Sequence, residues 1–314
     1  MTRGYRLLVL VATLLAFAVV VVGAYVRLSD AGLGCPDWPL CYGHPVPEPV
    51  SDAAAHAKAW KEMGHRYIAG TLGLLLCALA GWAWRLRRDR GLTLLLLALV
   101  VLQATLGKWT VTMLLRPAVV TSHLLGGMAI FALLVLLCLR QGSYAPAPRA
   151  RAARPAALAS LLLLAVQIAL GGWVSANYAG LACPDLPGCR GALLPAMDFG
   201  SAFHVVRELG RTAEGALLSN EALTAIHWTH RVFALAVLCV ALATAARAYR
   251  LEGLRIPALA VAALVALQFL LGVLNVAFSL PLPLADAHNA GAALLLASLV
   301  VLNFFSFRGL RPFR

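Results

Sequence analysis

Eight stretches of the chain are dominated by apolar residues: 7–27, 65–84, 92–114, 118–139, 156–176, 225–246, 256–279 and 286–306. A helix rises 1.5 Å per residue, so about twenty residues cross a hydrocarbon core of roughly 30 Å. The pattern therefore predicts eight transmembrane helices. Between them lie short segments of two kinds: basic ones such as RLRRDRG and PAPRARAARP, and longer ones that carry acids and cysteines.

Composition supports an integral membrane protein. The 314 residues are 61% hydrophobic and only 12% charged, about half the charged share of an ordinary soluble domain. The first stretch has basic flanks like a signal peptide, but its length and the lack of an A-x-A site read as a retained helix. The net charge of +13 would suggest nucleic acid in a soluble protein; here the charge is read loop by loop. With the N-terminus in the cytoplasm, sixteen of the 26 Lys and Arg but only Asp89 and Glu252 of the thirteen acids fall inside, so the faces carry +14 and −1. This asymmetry predicts both termini in the cytoplasm and explains the basicity by membrane insertion, with lipid rather than nucleic acid as the surroundings.

The chain repeats. GAYVRLSDAGLGC at 23–35 aligns with GGWVSANYAGLAC at 171–183, an offset of 148 residues. LQATLG at 102–107 aligns with LQFLLG at 267–272, and His65 and His123 align with His230 and His288, all at an offset of 165. The offsets differ by an insertion in the second outer loop. The expected architecture is all-α: two four-helix bundles related by a pseudo-twofold axis along the membrane normal. The N-terminal half is residues 1–142, a cytoplasmic linker spans 143–155, and the C-terminal half is residues 156–314.

Four histidines, His65, His123, His230 and His288, are expected to begin the even-numbered helices just inside the outer boundary, two per half. Ionisable groups at that depth face the bundle interior, and two imidazoles from facing helices are the axial ligand set of a bis-histidine haem. A lone histidine there could simply snorkel to the interface; four at repeat-equivalent positions favour ligation. Three residues before each His-Arg pair the halves differ. Glu62 lies one turn before His65, whereas His227 occupies the matching place before His230. A carboxylate suited to proton transfer thus belongs to the first half. It could also be an acid favoured by the helix dipole. Arg66 and Arg231 could pair with porphyrin propionates or anchor the interface. Cys77, Cys138 and Cys239 read as small buried hydrophobes.

CPDWPLC at 35–41 and CPDLPGC at 183–189 lie in the outer loops, where an oxidising compartment favours disulfides over thiols. Cys35 with Cys41, and Cys183 with Cys189, would close short, proline-stiffened rings, a stabilisation of about 2–3 kcal/mol in the chain-entropy model. Stapling is one reading; thiol exchange that passes electrons inward is the other, and Cys35 and Cys41 overlie the half with Glu62.

GLGCPDWPLC, EMGHR, SHLLGG, THR and DAHNAGA, in this order, together resemble the haem A synthase (CtaA/Cox15) family over nearly the whole chain. The resemblance implies oxidation of a methyl group of haem O to a formyl group by successive hydroxylations, giving haem A for terminal oxidases. It implies that His230 and His288 hold haem b as cofactor, that His65 and His123 face the substrate haem with Glu62 needed for activity, and that Cys35 and Cys41 serve electron delivery or haem transfer. It further implies a bacterial inner-membrane setting with the cysteine loops periplasmic. Haem O synthase and cytochrome oxidase assembly factors would be partners, with homo-oligomerisation left open. The alternatives are a di-haem electron-transfer cytochrome and a periplasm-facing thiol oxidoreductase. His44, His56, His204 and His227 receive no role.

Overall fold

The computed structural model describes residues 3–48 and 52–312, without the side chains of Arg311 and Pro312. Its helices are α1 (Arg3–Leu28), α2 (Ala53–Arg85), α3 (Arg90–Thr112), α4 (Pro117–Arg140), α5 (Arg154–Ala176), a short α6 (Phe199–Ala202), α7 (Asn220–Tyr249), α8 (Arg255–Ala277) and α9 (Leu282–Arg308). Among the described residues eight helices, all except α6, are long and apolar enough to cross a membrane, as the hydropathy pattern predicts. The chain is an all-α, multi-pass membrane protein.

The helix ends correct one expectation. His65 does not begin its helix: α2 starts twelve residues earlier, where Asp52 accepts a hydrogen bond from the Ala54 amide at 2.8 Å. The intervening AAAHAKAWKEMG is rich in helix formers but not apolar, so hydropathy marks the lipid-facing part of the helix and misses about 18 Å of its outer end. In α7, Ser219 caps ten residues ahead of His230 in the same way. His123 and His288 do sit near helix starts, in the second turns of α4 and α9, each helix with a proline in its first turn.

Within the first four helices, α1 and α3 each pack on both α2 and α4, while α2 and α4 scarcely touch. The later four follow the same plan: α5 and α8 each pack on α7 and α9. Each set is thus a square with its histidine-bearing helices on one diagonal. α4 and α9 also pack on each other, and α1 on α9 and α4 on α5 complete the contact between the sets. A single buried apolar cluster runs through both, from Tyr5 and Val9 on α1 to Leu299 and Leu302 on α9. Small residues such as Ala12, Ala16, Ala241 and Ala245 let the helices approach closely, which matters where lipid provides no hydrophobic drive for association.

The segment between the sets is ordered. Strand β1 (Tyr144–Pro146) pairs antiparallel with β2 (Leu310–Pro312). A 3₁₀ turn, Pro148–Ala153, then buries Ala150 and Ala153. Arg154 donates to the Phe307 carbonyl at 2.6 Å, so the end of the chain straps this connection down.

Candidate paired-imidazole site

The outer loops are built from the same contacts. Disulfides join Cys35 to Cys41 and Cys183 to Cys189. Inside the first ring, the Asp37 carboxylate accepts from the Tyr42 and Gly43 amides at 2.6 and 2.8 Å; inside the second, Asp185 accepts from Arg190 and Gly191 at 2.5 and 2.8 Å. Slight desolvation opposes ionisation of Asp37, but the Gly43 and Tyr42 amides and Arg66 outweigh it and hold its carboxyl below the ordinary range. For Asp185 the Gly191 amide is the main cause of a shift in the same direction, with Arg190 adding to it. The first loop lies directly on α2: a Cβ at Gly34 would stand 2.6 Å from the Lys58 carbonyl oxygen.

Each loop is clamped from below by the arginine that follows the outer histidine. Arg66 donates to the carbonyls of Asp37 at 3.0 Å and Leu40 at 2.7 Å, and pairs with Glu62 Oε1. Arg231 donates to the carbonyls of Asp185 and Gly188, both at 2.9 Å, and of Cys183. In this structure both guanidiniums are therefore engaged by the loops.

Beneath the disulfides the halves diverge as the sequence indicates, and His227 gains a place. Glu62, 5% exposed, accepts from the Cys35 amide at 2.9 Å through Oε2. His227, equally buried, stands at the matching point, with Nδ1 3.3 Å from the Cys183 amide and Nε2 3.1 Å from Arg231 Nε. A carboxylate has acceptors for both donors, whereas a neutral imidazole has one. The alignment of Glu62 with His227 was the signal available for this role. Of the other histidines, His44 faces Glu48 at 3.2 Å and His56 accepts from Trp60 at 3.0 Å, both on the exposed outer surface. His204 lies in the insertion, near enough to Glu214 to influence it. The insertion is folded onto the loop: Arg207, 5% exposed, donates to Asn177 Oδ1 at 2.5 Å and stacks over Trp173.

The four remaining imidazoles point inward to glycines on neighbouring helices. A Cβ at Gly23 on α1 would stand 2.8 Å from His65 Cε1, at Gly107 on α3 3.4 Å from that of His123, at Gly171 on α5 3.1 Å from that of His230, and at Gly272 on α8 3.3 Å from that of His288. Each seat needs the hydrogen of glycine. The glycines lie in the repeated motifs themselves, Gly23 and Gly171 opening one and Gly107 and Gly272 closing the other. His65 lies within electrostatic range of His123, and His230 of His288. Nδ1 of His65, His123 and His288 is buried with no hydrogen-bond partner, so these nitrogens are not committed to the protein's own network. Two neutral imidazoles from diagonal helices, closely seated and internally unpaired, fit the axial donor set of a haem.

Cys77 and Cys239 depart from expectation. Both are exposed on the outer surfaces of their helices, and only Cys138, 3.2 Å from the Thr13 hydroxyl, is partly enclosed. In a bilayer a small thiol suits the lipid-facing side as well as the interior, so apolar helix context does not distinguish the two.

Eight crossing helices enclosing two diagonal histidine pairs beneath disulfide-closed outer loops define a class of membrane protein with inward-facing paired-imidazole sites. The chain belongs to the COX15-CtaA family, described as cytochrome oxidase assembly protein, whose model matches residues 6–300. A protein of Shewanella oneidensis named heme A synthase is 43% identical over 94% of this chain and 94% of its own length. Proteins of the same name from Caulobacter vibrioides and Rhizorhabdus wittichii are 31% and 30% identical, over 99% and 93% of this chain and 97% and 90% of theirs.

Proposed function

We propose that the chain is a haem A synthase, an oxidoreductase that converts haem O to haem A by successive hydroxylation of a methyl group to a formyl group. The observation that carries this reading is the pairing of like sites with unlike neighbours: two equivalent imidazole pairs, only one with a carboxylate a turn away. His65 and His123 position the substrate haem in the half formed by residues 1–142. His230 and His288 hold haem b in the half formed by residues 156–314, with residues 143–155 as the cytoplasmic connection. Haem iron between two imidazoles supplies one-electron chemistry.

Glu62 is the group that accepts and returns protons beside the substrate. Its oxygens already serve the Cys35 amide and Arg66, so a proton on Oε1 or Oε2 weakens the hold on the first loop. Proton transfer and loop position are thereby coupled. His227 gives the second half the loop contact without the carboxylate. The disulfides close the outer ends of both bundles, and Cys35 with Cys41 is the pair placed to pass electrons to the converting half. The charge asymmetry supports an inner-membrane protein with cytoplasmic termini and periplasmic cysteine loops. Haem O synthase and oxidase assembly factors would act before and after it.

The test is expression with a haem O synthase in a host that makes no haem A, followed by extraction and identification of the haems. Haem A or its hydroxylated precursor is expected. Haem-loaded, folded protein that yields neither would favour the plain di-haem electron-transfer cytochrome.

A further inference from the structure

One helical turn toward the cytoplasm from each glycine seat is the residue four positions away on the same helix face. On α3, α5 and α8 that residue is a glutamine, Gln103, Gln167 and Gln268; on α1 it is Val19. In the second set both glutamines grip a histidine. The Gln167 amide nitrogen lies 3.1 Å from His230 Nδ1 and donates to the His230 carbonyl at 3.1 Å. Gln268 donates to the His288 carbonyl at 2.8 Å. In the first set Gln103 packs against Gly126 with its amide nitrogen buried and unpartnered, and Val19 has no amide to offer.

We propose that Gln167 and Gln268 are positioning residues that make the C-terminal pocket a permanent haem site, and that their lack of counterpart at Val19 and Gln103 leaves the N-terminal pocket able to exchange its haem. An enzyme whose substrate is itself a haem must retain one porphyrin through every turnover and release the other. Two sites with identical axial ligands cannot be told apart by those ligands. The groups behind the ligands can differ, because a hydrogen bond to a ligating imidazole fixes its orientation and is worth about 10–100-fold in metal affinity. The Gln167 amide oxygen is also buried and unpartnered, so a half-turn of the amide offers an acceptor to a protonated Nδ1. Gln268 acts on the backbone of α9 and holds the position from which His288 projects.

The inference rests on haem occupying both pockets, and the test follows haem transfer rather than turnover. Full-length protein carrying haem b in both halves is mixed with excess apomyoglobin and the Soret band is followed, with His65→Ala and His230→Ala assigning the phases. A fast phase from the first half and a slow phase from the second are expected. Gln167→Val should accelerate the slow phase by about 10-fold or more and leave the fast phase within twofold. Val19→Gln should slow the fast phase. Gln167→Glu should retain the grip and lower the midpoint potential of the C-terminal haem, a shift that a merely structural residue would not cause. If Gln167→Val fails to fold, losing haem from both halves, Gln268→Leu carries the same prediction for the slow phase. Equal transfer rates from the two halves, or a slow phase within twofold of the parent in the variant that folds, would overturn the proposal. Equal rates with haem A still produced would do so while leaving the assigned activity intact; distinct rates with no haem A produced would uphold the proposal and reject the activity.

Discussion

Under the first disulfide a carboxylate receives the Cys35 amide and the Arg66 guanidinium; under the second an imidazole receives the Cys183 amide and the Arg231 guanidinium. The loops above these contacts share their ring, their aspartate turn and their arginine clamp. What differs is charge and acceptor number at one point, and amide grip at another, behind the histidines. A duplicated scaffold can thus keep its geometry while only one copy has an acid beside the site. The matching construction of the loops says nothing about a shared task, whereas the mismatch beneath them locates the chemistry.

The comparison is most severely tested at Glu62. Glu62→Ala should lower haem O conversion by about 10²–10⁴-fold, the range of a lost general acid–base, while the spectrum of the haem held by His230 and His288 stays unchanged. Loss of that spectrum as well would end the division between halves. Next in size are the clamps. Arg66→Leu leaves the buried Glu62 carboxylate without its cation and should destabilise the protein by about 3–5 kcal/mol. Arg231→Leu removes a partner from a neutral imidazole and should cost about 1–3 kcal/mol. Denaturation in detergent measures both, and a reversed ranking would contradict the assigned charges.

Replacing Cys35 and Cys41 with Ser should slow turnover more than replacing Cys183 and Cys189, although the chain-entropy stabilisation is similar, about 2–3 kcal/mol each. Equal, mild effects would mean both disulfides only staple. The smallest effect is expected with pH. Asp37 and Asp185 have carboxyls held below the ordinary value of about 3.9. Their contribution to loop stability is therefore fully present above that value and lost as pH falls through the lower folded values. Hydrogen exchange at the Tyr42, Gly43, Arg190 and Gly191 amides should quicken on acidification in both loops alike; a change confined to one would show that they are not equivalent.

Much of this was legible in the residues. Eight apolar stretches report lipid contact directly, and the recurring histidines, glycines and cysteines expose the duplication. The asymmetry of Glu62 and His227 can be read from the alignment of the halves. Other features depend on three-dimensional proximity. The outer turns of α2 and α7 are helical without being apolar, so hydropathy places His65 and His230 at helix starts when they lie well inside. Arg66 and Arg231 have many conceivable anionic partners in sequence, and only the fold brings the loop carbonyls within 3 Å of them. The glycine seats were visible as repeated letters, but their function lies in contact across helices. The orientation of Cys77 and Cys239 toward the outside depends on helix rotation, which uniformly apolar sequence does not encode.

The claim that one half holds and the other converts is tested most directly by the double variant His65→Ala/His123→Ala, expressed with haem O synthase, purified and analysed for extracted haem. The account predicts haem b alone, bound with its parent spectrum, and no haem O, haem A or hydroxylated intermediate. Recovery of haem O or haem A from that protein would contradict it.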